Sequence, residues 1–163
     1  MEKNPQCTAE EVEEAIDRYA DTVYRLAYAQ TRSRADADDV FQEVFLRYVK
    51  SRPQFNDEEH RKAWLLRVTV NCAKDIAGSG WRRHTAALEY DAGYTMSEPS
   101  ALGEALDRLD GKYRYIIHLF YYEGYSTAEI AQITGLREGT VRTRLTRGRQ
   151  KLRELMKGEL AYE

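Results

Sequence analysis

Seven cations crowd the stretch from Arg137 to Arg153, namely Arg137, Arg142, Arg144, Arg147, Arg149, Lys151 and Arg153, and Glu138 is the only acid among them. On a helix turning about 100° per residue, Val141, Leu145, Gly148 and Leu152 fall on one side, and Thr143, Thr146, Arg147 and Gln150 fall on the other. Arg142 and Arg149 border one edge of that polar side, and Arg144 and Lys151 border the other. Short hydroxyls between two cationic edges match a DNA major groove, which has phosphates on both sides. Arginine reads guanine, threonine contacts bases or the thymine methyl, and the flanking cations hold the backbone, so that affinity falls with salt. The competing interpretation is a solvated basic face on a hairpin used only for packing.

A second cluster has the opposite sign. From Ala35 to Val44 the chain carries Asp36, Asp38, Asp39 and Glu43 and no base. On a helix that buries Val40 and Val44, the side chains of Asp39, Gln42 and Glu43 project outward and offer acceptors to a basic partner surface. A third set joins the loop from Phe55 to Glu59 with Lys62, Arg67, Asn71 and Lys74. Aromatic walls, polar groups for base edges and nearby cations are what a protein needs to hold an unpaired base; Trp64, in the same stretch, reads more naturally as a core residue. Catalytic chemistry has no comparable footing. His60, His84 and His118 lie apart, there is no glycine-rich phosphate loop and no nucleophile motif, and Cys7 and Cys72 match no metal or redox spacing. The expectation is a protein that is not an enzyme, with no metal and no cofactor.

Helices must position these groups. Apolar residues recur at three and four from Thr8, a plausible N-cap, to about Gln30, from Ala35 to Lys50, and from Glu58 to Ala77, where Gly78-Ser79-Gly80 interrupts. Weak periodicity and the basic cluster Trp81-Arg82-Arg83-His84 then mark a linker up to about Ser100. Beyond it the pattern predicts a short helix near Leu102 to Leu109, a turn at Asp110-Gly111, and an apolar helix from Lys112 to Tyr122 ended by Gly124. Ser126-Thr127-Ala128-Glu129 has the form of a capping box, Gly135 can take the positive φ that closes a helix, and the chain resumes at about Glu138. That is a helix-turn-helix pattern, with Ala131 permitting close approach and Leu136 filling the angle. The fold class expected is all-α: a three-helix domain over 8–84, a flexible linker over 85–100 and a helix-turn-helix domain over 101–158.

The bulk composition agrees with that. With 163 residues, 42% hydrophobic and 32% charged, the chain can form two small cores under a highly charged surface. No apolar run approaches the roughly 20 residues of a membrane helix, and Met1 to Glu14 is too acidic for a secretory signal, so a cytoplasmic location and no membrane partner are expected. The net charge of −2 conceals the separation of an acidic segment from a basic one. The acidic surplus is consistent with weak DNA affinity for the free protein.

Gly124-Tyr125-Ser126-Thr127-Ala128-Glu129-Ile130-Ala131, followed by Gly139-Thr140-Val141-Arg142-Thr143-Arg144-Leu145, closely resembles the fourth conserved region of extracytoplasmic function (ECF) sigma factors. The preceding Ala105-Leu106-Asp107-Arg108-Leu109 and Tyr113-Arg114 resemble that family's lead-in helices, although Asp110-Gly111 stands where prolines are more usual. Independently, Asp38-Asp39-Val40-Phe41-Gln42-Glu43-Val44-Phe45 resembles the family's second region, as do Phe55 to His60, Trp64 to Val68 and Asn71 to Asp75. The resemblance runs from about Tyr19 to Leu155. It implies a sigma factor that binds core RNA polymerase, directs it to specific promoters and promotes initiation. Asp38, Asp39, Gln42 and Glu43 would meet the beta-prime clamp helices, and the fourth region would dock on the beta flap. Arg142, Thr143, Arg144, Thr146, Arg147 and Arg149 would contact the minus-35 element; Lys62, Arg67, Asn71, Lys74, Arg82 and Arg83 would contact the minus-10 element. Where the family usually carries several arginines just after the Asp75 position, this chain has Ile76-Ala77-Gly78-Ser79-Gly80 before Arg82. Many relatives are held by an anti-sigma factor covering the same surfaces. The alternative is a stand-alone helix-turn-helix regulator whose N-terminal helices dimerise, which predicts a two-fold complex on a palindrome without polymerase.

Overall fold

Every regular element in the described residues is a helix; a computed structural model describes residues 9–51, 53–78 and 100–160. Helix α1, Ala9–Thr31, buries Ala15, Tyr19, Val23, Leu26, Ala27 and Ala29, the stripe its three-and-four spacing predicts. It stops where Arg32 takes a φ of 56°, a left-handed conformation that cannot continue a helix. Ser33 then accepts from the Asp36 amide at 3.2 Å and caps α2, Arg34–Ser51. Asp57 does the same for the His60 amide at 2.7 Å, starting α3, Glu58–Gly78. Thr8, Cys7 and the cluster from Trp81 to His84, including Arg82 and Arg83, lie outside the described residues, and of the expected linker only Ser100 lies within them.

These three helices close a first core around Val23, Val40, Val44, Tyr48, Leu65 and Cys72. Burial pushes the Cys72 thiol up to about 11, so it behaves as a small apolar filler and not as a nucleophile.

The C-terminal half starts with α4, Ala101–Arg108, capped by Ser100, and α5, Gly111–Ile117, capped by Asp110. The helix expected to run on to Tyr122 instead widens into a π-helical turn, His118–Tyr122. Such turns insert one residue and rotate the chain beyond them, a change that apolar periodicity does not announce. Ser126 and Glu129 form both bonds of the capping box at the start of α6, Thr127–Thr134, and Gly135 closes it with a φ of 76°. Helix α7, Glu138–Leu160, crosses α5 at Gly148, where a Cβ would stand 2.8 Å from Ile117 Cδ1 and 3.2 Å from Tyr113 Cβ. Glycine on the buried side of α7 thus sets how closely the two helices approach.

The two halves are packed against one another. The second core combines Leu26, Ala29, Leu66 and Val70 of α1 and α3 with Leu109, Ile116, Ile117, Ile130 and Val141 of the C-terminal half. At its edge Arg114 is buried and donates through Nε to the Ala29 carbonyl at 2.6 Å and through Nη1 to the Leu109 carbonyl at 3.1 Å. Burial pulls its guanidinium down to about 9, which still leaves it charged at neutral pH and in need of those carbonyls. Gly111, part of the departure from the family's usual prolines, has a physical reason here: a Cβ would lie 2.7 Å from the Gln30 carbonyl oxygen.

His118 sits at this seam, buried, stacked on Tyr122 and 3.8 Å from a Glu123 carboxylate oxygen. Burial pulls its pKa down to about 4, with the nearby Glu123 opposing the shift and Arg25 adding to it. The unfolded chain therefore takes up this proton first as pH falls, at roughly 6.5. Stability from this group is fully present above about 6.5 and is lost as pH falls toward 4, by about 3 kcal/mol in all. Urea denaturation from pH 7.5 to 4.5 is expected to show that decline, and His118→Phe, which keeps the ring stack, is expected to flatten it; an unchanged slope in the variant would place the proton uptake elsewhere.

Candidate nucleic-acid and partner interfaces

The cationic face of α7 is built as the sequence predicts. Val141, Leu145 and Gly148 are buried, and Thr143, Thr146, Arg147 and Gln150 are exposed on the opposite side. The angle between α6 and α7 is set by Gly135, by Leu136 packed onto the core and by a hydrogen bond from Thr127 to Glu138 at 3.0 Å. Glu138 also pairs with Arg142 at 2.6 Å, and these two partners, Thr127 first, hold its carboxyl below the usual range. The Thr143 hydroxyl donates back to the Gly139 carbonyl at 2.9 Å, which leaves its oxygen lone pairs facing outward.

Each cationic edge has one arginine held by a tyrosine. Arg144 donates to the Tyr115 hydroxyl at 3.1 Å, and Arg149 donates to the Tyr121 hydroxyl at 2.7 Å while lying over the Phe120 and Tyr121 rings. Both are thereby pre-oriented by aromatic residues of the preceding helix and π turn. Arg147 has no such partner among the described residues and stands free on the open face. Two further cations, Lys112 and Arg137, line a groove of about 560 Å³ together with Thr143, Arg144 and Arg147. Neither was a candidate contact from sequence. Lys112 is on another helix, and Arg137 lies in the turn, so no helical projection of α7 collects them.

On α2, Asp39, Gln42 and Glu43 share one face, and with Leu46 they line a groove of about 510 Å³. Leu46 was missed, although its position three after Glu43 places it on the acidic face. It is 46% exposed, an apolar residue left uncovered beside acceptors. Glu43 is held by Arg47 at 3.0 Å, and Arg47 also reaches Asp75 at 3.7 Å. Asp38 is exposed in the first turns of the same helix.

The third set is divided. Arg67 and Asn71 are exposed on α3, whereas Lys62 pairs with Glu123 at 3.0 Å and Lys74 donates to the Thr134 carbonyl at 3.1 Å. Phe55, the aromatic candidate of the loop, packs against Tyr48 and Trp64 with ring centroids 6.2 and 5.9 Å away. Trp64 leans on the first core, as the structural interpretation of it expected. Among the described residues no group of His, Cys, Asp or Glu is placed to hold a metal ion.

Comparison with known proteins aligns both halves. The family described as "Sigma-70 region 2" matches residues 15–85, and "Sigma-70, region 4" matches residues 100–152. The chain is 34% identical over 157 residues to the ECF RNA polymerase sigma factor SigE of Mycolicibacterium smegmatis, covering 88% of this chain and 61% of that longer relative. It is 30% identical over 172 residues to the RNA polymerase sigma factor CarQ of Myxococcus xanthus, covering 100% of this chain and 98% of that one. In fold it resembles the sigma factor RpoE, solved in complex with the anti-sigma factor NepR from Bartonella quintana, with a TM-score of 0.69 at 21% identity over 91% of this chain and 98% of that one.

The geometry separates charge from shape on α7. Titrated onto a mixed-sequence duplex followed by fluorescence anisotropy, Arg142→Ala is expected to reduce the slope of log affinity against log salt by about 1, and Thr146→Ala is expected to leave the slope unchanged. Equal slopes in both variants would remove Arg142 from the phosphate contacts.

Proposed function

The chain belongs to the sigma-70 family, in its ECF branch, and we propose that it binds core RNA polymerase, directs it to specific promoters and helps open them. The observation that carries this reading is the presence of two unlike recognition faces on one chain, the exposed cationic face of α7 and the acidic, partly apolar face of α2. A stand-alone regulator needs the first and has no use for the second.

In this reading the helix-turn-helix half, 101–158, takes the minus-35 element. Thr143, Thr146 and Arg147 face base edges, and Arg142, Arg144 and Arg149 hold phosphates on either side. The same half docks on the beta flap. The three-helix half, 8–84, meets the beta-prime clamp helices through Asp38, Asp39, Gln42 and Glu43, with Leu46 as an apolar anchor among them. Lys62, Arg67, Asn71 and Lys74 serve the minus-10 element, together with Arg82 and Arg83. Phe55, enclosed by Tyr48 and Trp64, is a weaker candidate for a base platform than the exposed Arg67 and Asn71.

The chain supplies position and strand separation, and bond formation belongs to the polymerase, so no catalytic residue, metal or cofactor is assigned to it. RpoE, whose fold this chain shares, is bound by an anti-sigma factor. An anti-sigma partner is accordingly proposed here, covering the surfaces that polymerase uses. No helix of the described residues is long and apolar enough to cross a membrane, and the proposed site of action is the cytoplasm.

Purified chain is expected to co-elute with sigma-free bacterial core polymerase. The double variant Asp39→Ala, Glu43→Ala is expected to bind roughly tenfold more weakly or worse, as when charged interface partners are truncated. Its helix content should be unchanged, because Val40 and Val44 still fill the core. No association by the wild-type chain would move the assignment to a stand-alone DNA-binding regulator.

A further inference from the structure

One glycine of the helix-turn-helix half has no internal reason to be a glycine. At Gly148 a Cβ would strike the neighbouring helix, and Gly135 takes a positive φ, whereas a Cβ at Gly139 would meet nothing within 4 Å. Gly139 is exposed, in the first turn of α7, and its φ is not positive. Glycine there costs the helix stability that alanine would keep. What it offers in exchange is bare backbone, which a group from outside the chain can approach closely.

The surroundings say what that group is. Gly139 lines the groove of about 560 Å³ together with Lys112 of α5, Arg137 of the turn, and Thr140, Thr143, Arg144 and Arg147 of α7. Every charged side chain lining it is a cation, and Glu138, the acid beside Gly139 in the chain, is engaged with Thr127 and Arg142. Thr140, Thr143, Arg147 and Lys151 follow one another at three and four along α7, so that edge is one continuous line of hydroxyls and cations. Lys112 and Lys151 both lie over the ring of the buried Tyr113, 5.0 and 5.3 Å from its centroid, which steadies two ammonium groups beside the groove. A merely solvated basic surface has no use for uncovered backbone among its cations. A phosphate does, because its oxygens accept from ammonium, guanidinium and hydroxyl donors at close range.

We propose that this groove seats a phosphate of duplex DNA outside the contacts assigned to α7, with Lys112 and Arg137 as its cations and Gly139 as the opening that lets the sugar-phosphate backbone reach them. The inference rests on the DNA-reading role of α7, whose Thr143, Arg144 and Arg147 also line the groove. That shared wall commits the groove to the same polyanion. A strand that leaves the major groove past Arg144 meets Arg137 and Lys112 next. The seat is assembled from α5, the turn and α7, so it exists only at the helix crossing that Gly148 sets. Phosphate contacts fix register and orientation and carry no sequence information. The seat therefore sets how α7 lies on the duplex and leaves base preference to the side chains that face base edges.

Gly139→Ala in the full chain separates this role from a structural one, because it moves stability and binding in opposite directions. With open space around the new methyl, the melting temperature is expected to rise by about 2 °C. Affinity for a mixed-sequence duplex, read by fluorescence anisotropy at low salt, is expected to fall about fivefold as the methyl fills the opening. Lys112→Ala and Arg137→Ala are each expected to weaken the same binding and to reduce the slope of log affinity against log salt by about 1. Arg147→Ala reports on the α7 reading itself. Weaker binding in Arg147→Ala alone, with the other three variants at wild-type affinity, overturns the seat and leaves that reading standing. Unchanged affinity in all four overturns the reading, and the seat with it. A Gly139→Ala chain that binds more weakly and also melts lower overturns the opening, since the loss then comes from the helix. Weaker binding with an unchanged salt slope in Lys112→Ala and Arg137→Ala overturns phosphate as the group they hold.

Discussion

A guanidinium cannot be buried without acceptors, and Arg114 is buried. Its acceptors are backbone carbonyls at the ends of two helices, Ala29 in α1 and Leu106, Asp107 and Leu109 at the end of α4. That one requirement fixes α4 and α5 relative to each other and both relative to α1. Gly148 then lays α7 over α5, and the capping box with Gly135 sets α6 against α7. The orientation of the cationic face is the last consequence in this series. Nη2 of Arg114 has no hydrogen-bond partner among the described residues, and with His118 it borders a cavity of about 40 Å³ between the halves. The contact between the halves thus leaves buried polar atoms without a partner.

Charge placement supports the same division of labour. A net charge of −2 over the whole chain conceals an acidic face on α2 and a basic one on α7, each suited to a partner of opposite sign. Arg149 and Arg144 are steadied by tyrosine hydroxyls, which would lower the ordering cost of two long side chains in the proposed DNA contact. Arg147 is left unrestrained where base edges would be read.

The helices, the capping box and the helix-turn-helix were legible in the sequence because their signals are local. Three-and-four spacing, Ser126 with Glu129, and Gly135 each report on residues within a turn or two of themselves. The π turn at His118–Tyr122 was not legible, since one inserted residue in an apolar run leaves the run apolar. Leu46 was passed over as one more apolar residue in a helix, though its register with Asp39, Gln42 and Glu43 was there to be counted. The docking of the halves could not be read at all. Gly111 and Asp110 registered only as a departure from a familiar pattern, and nothing local in Lys62 or Lys74 names Glu123 or Thr134 as partners some sixty residues on, a separation the sequence gives directly.

The most direct test of the whole account is the distance between the halves before and after the chain meets polymerase. With Cys7 replaced by Ser and the buried Cys72 retained, spin labels at the exposed positions 50 in α2 and 154 in α7 report that distance by double electron-electron resonance. One narrow, short distribution is expected in the free chain, replaced by a longer one in the holoenzyme on promoter DNA. The same distribution in both states, or a broad one in the free chain, would contradict it.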